Sequence, residues 1–136
     1  MSLLVKKEGI LSTIQDPGRI GYRRFGINPS GVMDQTSARL INYLLGNDAN
    51  APVIEVHYPV GLYEFEQECL FAIGGADFCP KLNGQAIRRH TIVSVSADDV
   101  LSFGSKVDGN RAYLAIRGGF RADCWLGSTS TNLRAS

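Results

Sequence analysis

Two runs of alternating residues in the middle of the chain decide its fold class. The first is Val53-Ile54-Glu55-Val56-His57-Tyr58, and the second is Leu62-Tyr63-Glu64-Phe65-Glu66. Both alternate apolar and polar side chains with the period of two that is typical of a half-buried β-strand. The second run is slightly out of phase, which indicates a bulge or a short edge strand.

Strand patterns extend outward from this stretch in both directions. One strand is predicted before it, over Gly9–Gln15. Asn83-Gly84 is a two-residue hairpin signal, because both residues tolerate positive φ. Short strands separated by turns every 8 to 12 residues or so are typical of a sandwich or barrel, so we expect a mainly β fold. The later predicted strands cover Cys69–Ile73, Lys81–Leu82, Gln85–Ile87, Thr91–Val95, Val100–Phe103 and Arg111–Ile116.

One short helix is predicted ahead of most of these strands, at about residues 35–45. Asp34 stands at the N-cap position, where a carboxylate accepts hydrogen bonds from the amides of the first turn. From Gln35 to Leu45, apolar residues recur with the spacing of one helical face. Gly46-Asn47 then provides the stop signal.

Composition and charge exclude several classes of protein. The 136 residues correspond to about one domain, with 44% hydrophobic and 20% charged residues, as in ordinary globular proteins. A formal net charge of +1 gives no basic footprint for a nucleic acid. Neither a signal peptide nor a run of about 18 apolar residues is present, so no membrane association is expected.

The cysteines and histidines do not form a recognisable site in the sequence. Cys69, Cys79 and Cys124 are odd in number and widely spaced. That pattern favours reduced thiols in a cytoplasmic protein over a disulfide framework or a metal site, and no metal is predicted. His57 and His90 lie far apart, and nothing in the spacing supports a Ser-His-Asp triad.

The stretch from Asp16 to Gly31 is a candidate binding loop. It combines Asp16, Arg19 and Tyr22 with glycines that allow a ligand to approach the backbone closely. Arginine binds carboxylate or phosphate groups with two hydrogen bonds, so the loop is suited to an anionic substrate. The alternative is that Asp16 and an arginine form a structural pair that holds the turn.

Two glycine pairs follow predicted strands and are further candidates. Gly74-Gly75 and Gly118-Gly119 each make either an anion-binding nest of amides or a simple bulge. Asp77, close behind the first pair, is either a base or an acceptor in a turn. If both strand ends opened on the same rim of a barrel, they would form one site. Near the C-terminal end, hydroxyl and cationic contacts would come from Ser128, Ser130 and Arg134.

Taken in order, these segments resemble one family. The resemblance is carried by Gly9–Tyr22, Ser30–Asp34, Asn42–Asn47, Ile54–Val56, Gly74–Phe78, Arg111–Gly119 and Leu126–Arg134. The sequence is similar to the biotin-dependent carboxyltransferase-like family, whose members include allophanate hydrolase subunit 2, KipA and the C-type subunit of 5-oxoprolinase. Members run to about twice this length, and a Ser/Thr-rich loop is a poor domain end. We therefore expect residues 1–136 to form a single carboxyltransferase-like β domain, the N-terminal part of a longer subunit.

The resemblance implies a cyclophilin-like β-barrel and a partnership with other subunits. The partners would be a KipI-like protein, equivalent to the B-type subunit of 5-oxoprolinase, and a LamB/YcsF-type protein, equivalent to its A-type subunit. The implied reaction is ATP-driven opening of the 5-oxoproline lactam, with ATP required at the level of the complex. One alternative is a KipA-like regulator that binds a KipI-like partner. Another is carboxyl transfer from carboxybiotin to urea, which requires a separate biotin carrier.

The matched motifs give these residues provisional roles. Arg19 would bind a carboxylate, and Asp77 or Glu55 would orient or deprotonate an amide nitrogen. The amides of Gly74 and Gly75 would stabilise oxyanion charge. Substrate contacts are assigned to Asp16, Arg19, Tyr22, Asp34, Gly74, Gly75, Gly118, Gly119, Ser128, Ser130 and Arg134.

Overall fold

The computed structural model describes residues 3–7, 12–15 and 34–120. Ten β-strands and one α-helix lie in these ranges. The helix α1 covers Gln35–Leu44. The strands are β1 Leu3–Lys7, β2 Ser12–Gln15, β3 Val53–His57, β4 Leu62–Phe65, β5 Cys69–Asp77, β6 Pro80–Leu82, β7 Gln85–Ala86, β8 Val93–Val95, β9 Val100–Phe103 and β10 Asp108–Ile116.

The strands form two antiparallel five-stranded sheets. The first sheet has the order β1-β4-β9-β6-β7, and the second has the order β2-β3-β10-β5-β8. In the second sheet β10 lies between β3 and β5, with Tyr113 opposite Glu55 on one side and opposite Gly74 on the other. Strand β10 therefore brings together residues that are far apart in the sequence.

The main hydrophobic core fills the space between the two sheets. Every second residue points into it in β3, in β5 as far as Ile73 and in β10 from Ala112 onward, as the pleat of a strand requires. Phe65 and Phe71, from opposite sheets, are both fully buried, and their ring centroids lie 5.0 Å apart. Other members of this core are Leu3, Ile54, Val56, Tyr63, Ile73, Phe78, Val95, Leu101, Leu114 and Ile116.

The other face of the second sheet is covered by α1. Ala38, Ile41 and Leu45 are buried against this sheet in a second, smaller cluster, which also contains Tyr113. The helix can approach closely because Gly74 has no side chain: a Cβ atom there would lie 2.8 Å from Cγ2 of Ile41. The second sheet is thus buried on both faces, and polar residues on its helix-facing side are enclosed.

The ends of α1 are fixed by polar side chains. Asp34 is the N-cap, and its carboxylate accepts hydrogen bonds from the backbone N–H and the hydroxyl of Ser37 at 3.0 and 2.6 Å. Near the C-terminal end, the fully buried Asn42 donates to the carbonyl of Ala51 at 2.9 Å. Asn47 binds both Asn42 and the carbonyl of Ile116. These contacts hold the helix in one position on the sheet.

The predicted mainly β fold with one short helix is confirmed. The helix ends one residue earlier than predicted, with Leu45 as its C-cap, and Asn83-Gly84 forms the expected hairpin turn with positive φ at both residues. Of the predicted first strand, Ser12–Gln15 is a strand and the rest lies outside the described residues. No hydrogen bonds between the described strands join the two sheets to each other. The barrel-like fold is therefore built here from two open sheets.

Several strand predictions need correction. Strand β10 begins at Asp108 and not at Arg111, and β8 begins at Val93 and not at Thr91. The strand β1 is not predicted from the sequence, because its five residues carry two lysines and lack a clear alternation. Strand β5 does not stop at Ile73 but continues through Gly74 and Gly75 to Asp77, since β10 pairs with it along this length. The first glycine pair therefore lies inside a strand.

Two cysteines lie in the described residues, and both are free thiols. Cys69 is partly buried beside the main core, and burial raises the pKa of its thiol to about 11. The Cys69 thiol is therefore protonated at neutral pH. Within the described ranges, no helix is both long enough and apolar enough to span a membrane.

Candidate functional site

A cleft of about 310 Å³ opens beside the first turn of α1. Asp34, the N-cap of α1, and Ser37 in its first turn line one side of the cleft. Strand β5 contributes Gly75 and Ala76, and most of the remaining wall comes from the first half of β10. The volume is at the small end of the range for ligand pockets. From β10 and from the segment before β8, the lining also includes Asp108, Gly109, Asn110, Arg111, Tyr113 and His90.

A hydrogen-bond chain forms the floor of the cleft. The hydroxyl of Tyr113 donates to Oε2 of Glu55 at 2.8 Å and accepts from the backbone N–H of Asp34 at 2.8 Å. Glu55 is only 5% exposed, and Tyr113 is fully buried. The chain joins the N-terminus of the helix to the centre of the sheet, so the helix and the buried carboxylate hold the tyrosine hydroxyl in place.

Arg111 and His57 extend this polar cluster on the same face of the sheet. Arg111 lies directly opposite His57 in the register of β10 and β3. Its Nε atom is 3.8 Å from Oε1 of Glu55, and its side chain is 31% exposed. Charged residues inside proteins are normally paired, and here Glu55 and Arg111 supply opposite charges to each other.

The local environment shifts the pKa of several groups in the cluster. Burial, followed by the hydrogen bond to Glu55, raises the pKa of Tyr113. Burial and then the positive charge of Arg111 lower the pKa of His57, against a smaller opposing effect of Glu55. The hydrogen bonds from Ser37 lower the pKa of Asp34. At neutral pH the cluster therefore holds a protonated tyrosine, a neutral His57 and an ionised Asp34.

The lowered pKa of His57 predicts a loss of stability in mild acid. The unfolded chain binds a proton at His57 with a pKa near 6.5, whereas the folded protein resists that proton. The free energy of unfolding should be at its full value above pH 6.5 and fall as the pH drops through the lowered pKa. The measurement is the melting temperature between pH 8 and pH 5. His57→Leu should flatten this dependence, and an unchanged slope would contradict the prediction.

Three of the predicted site residues meet at this cleft. Asp34 lies at its edge, Gly75 lines it, and Glu55 lies directly beneath its floor. Their predicted roles in binding or catalysis remain predictions. Glu55 is 5% exposed, and its carboxylate contacts Tyr113 and Arg111.

The other predicted residues on β5 have structural contacts. Gly74 faces α1 and gives the helix room to pack. Asp77 accepts a hydrogen bond from the backbone of Cys79 at 3.0 Å, and its other oxygen lies 4.0 Å from Nε of Arg89. Arg89 in turn donates to the carbonyl oxygen of Gly75 at 2.6 Å. Asp77 thus fixes the turn after β5 and is absent from the lining of the cleft.

The second glycine pair lies at the opposite end of the sheet. Strands β5 and β10 are antiparallel, with Tyr113 opposite Gly74 and Ile116 opposite Phe71. At about 3.4 Å per residue, Gly118 is on the order of 15 Å from Gly74 along the strand direction. Its N–H donates to Oδ1 of Asn47 at 2.8 Å. The idea that both glycine pairs open on one rim is therefore wrong.

The remaining predicted site residues lie outside the described residues. They are Asp16, Arg19, Tyr22, Ser128, Ser130 and Arg134. Their assignment to substrate binding stays a prediction.

Sequence reasoning misses Arg111 and Tyr113. In the sequence both belong simply to a buried strand, although they alternate on one face of it. The available signal is two polar groups at positions i and i+2 in an otherwise apolar strand, since such groups need partners when buried. What the sequence does not show is the register that places Glu55 opposite Tyr113.

Metal binding gains no support from the described part of the chain. No group of three or more histidine, cysteine, aspartate or glutamate side chains there is arranged to hold a metal ion.

Comparison with known proteins identifies the family. The family model described as the carboxyltransferase domain, subdomain A and B, matches residues 25–136. The chain belongs to this carboxyltransferase domain family. The cleft, its tyrosine floor and the helix cap all lie within the matched range.

The chain is similar in sequence to two kinds of curated protein. The chain is 45% identical over 124 residues to the urea amidolyase of Saccharomyces cerevisiae, a match that covers 90% of the chain and 7% of the yeast protein. It is 36% identical over 132 residues to the C-type subunit of the 5-oxoprolinase of Escherichia coli, covering 97% of the chain and 43% of the bacterial protein. The chain therefore spans less than half the length of either relative.

A solved structure of a carboxyltransferase relative has the same fold. The urea carboxylase of Kluyveromyces lactis superposes with a TM-score of 0.91 at 38% identity, over 96% of this chain and 12% of the larger protein. Agreement at this level covers the sheets and the helix that build the cleft.

Proposed function

We propose that this chain is part of a subunit of an ATP-dependent 5-oxoprolinase-type complex, which opens a cyclic amide by hydrolysis. The observation that carries the proposal is the cleft beside α1, where the buried Tyr113 and Glu55 and the partly exposed Arg111 form one connected polar cluster. The match to the Escherichia coli 5-oxoprolinase protein over 97% of the chain supports the assignment. The family alone supports a broader role in amide or carboxyl-transfer chemistry.

In this proposal the cleft binds the amide group of the substrate. The Arg111 guanidinium faces the ligand as a hydrogen-bond donor, which stabilises negative charge on a carbonyl oxygen as it develops. The Tyr113 hydroxyl donates to Glu55 beneath it. Glu55 keeps both groups oriented. Arg19, Asp16 and Tyr22 remain candidates for binding the substrate carboxylate.

The proposed partners are a KipI-like protein in the role of the B-type subunit, together with a LamB/YcsF-type protein in the role of the A-type subunit. The name of the Escherichia coli relative marks it as one subunit of an enzyme, which supports an assembly with several subunits. We place the ATP requirement at the level of this complex. The setting proposed for it is the cytoplasm.

The test is substrate-dependent ATP hydrolysis by the protein assembled with both partner subunits. We expect 5-oxoproline to stimulate ATP hydrolysis and to yield glutamate in equal amounts. Assemblies that lack this protein serve as the control and should be inactive. A complex that forms tightly but hydrolyses neither ATP nor 5-oxoproline would contradict the proposal and favour a KipA-like regulatory role.

The second candidate function is carboxyl transfer to urea. It is favoured by the 45% identity to urea amidolyase, which exceeds the 36% identity to the Escherichia coli 5-oxoprolinase protein. This function would require biotin on a separate carrier domain. The two candidates separate in one experiment, because urea and bicarbonate would drive ATP hydrolysis in the second case, whereas 5-oxoproline would not.

A further inference from the structure

His90 lines the cleft but stands apart from the hydrogen-bonded cluster that forms its floor. It lies in the connection between β7 and β8, and its side chain is exposed. Neither ring nitrogen of His90 has a hydrogen-bond partner among the residues that the structure describes. The imidazole is therefore open to a molecule in the cleft and able to exchange a proton with it.

The backbone of His90 is held in one position by β5. Its N–H donates to the carbonyl oxygen of Ile73 at 2.6 Å, and the guanidinium of the preceding Arg89 donates to the carbonyl oxygen of Gly75 at 2.6 Å. His90 has a φ of +58°, a conformation that is uncommon for residues other than glycine. Residues that their surroundings keep in such a conformation occur often at functional sites. The connection is thus fixed to the strand that lines the cleft.

The imidazole ring lies across Gly74, next to the first turn of α1. A Cβ atom at Gly74 would lie 3.5 Å from Cδ2 of His90 and 3.3 Å from the carbonyl oxygen of Ser37. Because Gly74 has no side chain, the ring and the helix approach the same point of β5. The imidazole is therefore adjacent to the side of the cleft that Asp34 and Ser37 form.

The other charged and titratable groups around His90 do not exchange protons near neutral pH. Asp34 is ionised, because the hydrogen bonds from Ser37 lower its pKa, and Tyr113 is protonated, because burial raises its pKa. Aspartate and arginine side chains are ordinarily ionised throughout this range, whereas an imidazole gains and loses a proton within it. The further aspartates and arginines on β5, on β10 and beside His90 are Asp77, Asp108, Arg111 and Arg89.

We propose that His90 is the general acid of the cleft and donates a proton to the nitrogen of a cyclic amide as the C–N bond breaks. The inference rests on the proposed function, in which water supplies the hydroxyl group that joins the carbonyl carbon. The imidazolium gives its proton to the departing nitrogen, which becomes an amine. The neutral imidazole then takes up the proton that the water loses, so His90 returns to its starting state and the net reaction is the addition of one water molecule.

The test is steady-state turnover of 5-oxoproline as a function of pH, by the complex assembled with both partner subunits. His90→Asn removes the imidazole, and asparagine tolerates the positive φ at this position. His90→Gly removes the whole side chain and leaves space for free imidazole, which is added to the assay. Arg88→Gln is the matched control, since Arg88 is exposed in the same connection but does not line the cleft.

We expect both His90 variants to lower kcat by about a hundredfold with little change in KM, the low end of the usual contribution of general acid–base catalysis. A general acid must be protonated, so kcat of the wild type should fall as the pH rises and the imidazole loses its proton. This fall should be absent from His90→Asn, whose melting temperature should stay close to that of the wild type. Free imidazole should restore part of kcat in His90→Gly, and Arg88→Gln should behave as the wild type does.

Several results would overturn the inference. Normal kcat in His90→Asn, with an active wild-type complex in the same assay, leaves the proposed function standing while this inference fails. A lower kcat that keeps the pH dependence of the wild type, without rescue of His90→Gly by imidazole, assigns His90 a structural role. A raised KM with normal kcat assigns it to binding alone. A wild-type complex that does not turn over 5-oxoproline contradicts the proposed function, and the inference fails with it.

Discussion

Replacing Gly75 by alanine should lower the free energy of unfolding by about 3 kcal/mol, as the sum of backbone strain and overpacking of about 1–2 kcal/mol each. Gly75 has a φ of +78°, a conformation that side chains disfavour. The added Cβ atom would lie 2.6 Å from the carbonyl oxygen of Arg111 and 2.9 Å from Cδ2 of Tyr113. Neither neighbour can move without disturbing the pairing of β5 with β10.

Gly46→Ala is the matched control for this prediction. Gly46 has nearly the same φ, +75°, but no described heavy atom lies within 4 Å of the position of its Cβ. Only the backbone strain of about 1–2 kcal/mol applies there. Equilibrium unfolding in urea measures both variants. Equal losses at the two glycines would show that the close approach of β10 has no energetic consequence.

Glu55→Gln should reduce kcat for the reaction of the assembled complex by about a hundredfold, the low end of the effect of losing one preorganised hydrogen-bond donor to a developing oxyanion. The substitution keeps the shape of the side chain and an oxygen that can accept from the Tyr113 hydroxyl, but it removes the negative charge that orients Arg111. Because Glu55 acts through these two groups, it is a positioning residue. We expect kcat to fall more than KM changes.

A substitution at Asp77 tests whether the effect on kcat is specific to the carboxylate beneath the cleft. Asp77 also lies on the second sheet and also pairs with an arginine, but that pair holds the turn after β5. Asp77→Asn should therefore lower the free energy of unfolding but change kcat little. Glu68→Gln, at an exposed position just before β5, is the neutral control. Loss of turnover in Asp77→Asn with normal turnover in Glu55→Gln would reverse the assignment of the two carboxylates.

The elements of the fold that depend on local sequence can be predicted. The alternation of residues 53–58 predicts β3, the capping residue Asp34 and the apolar spacing predict α1, and Asn83-Gly84 predicts a hairpin. Each of these signals lies within a few residues along the chain. The physical causes are local as well: the pleat of the strand, the capping of the helix and the positive φ of the turn residues.

The arrangement of the site depends on non-local pairing and can be predicted only in part. Glu55 and Asp34 are recognisable as candidates, but Tyr113, which joins them, is 58 residues from Glu55 and 79 from Asp34. The register that sets them together is determined by the whole sheet. The same cause misplaces the glycine pairs: each follows an apolar run, but antiparallel pairing of β5 and β10 separates them.

The most direct test of the central claim, that the cleft beside α1 binds the amide substrate, is a crystal structure of the protein with 5-oxoproline. We expect density for the ligand between Asp34 and β10, with its lactam oxygen within hydrogen-bond distance of the Arg111 guanidinium. Ligand density at another place on the protein, with the cleft between Asp34 and Arg111 occupied only by water, would contradict the account.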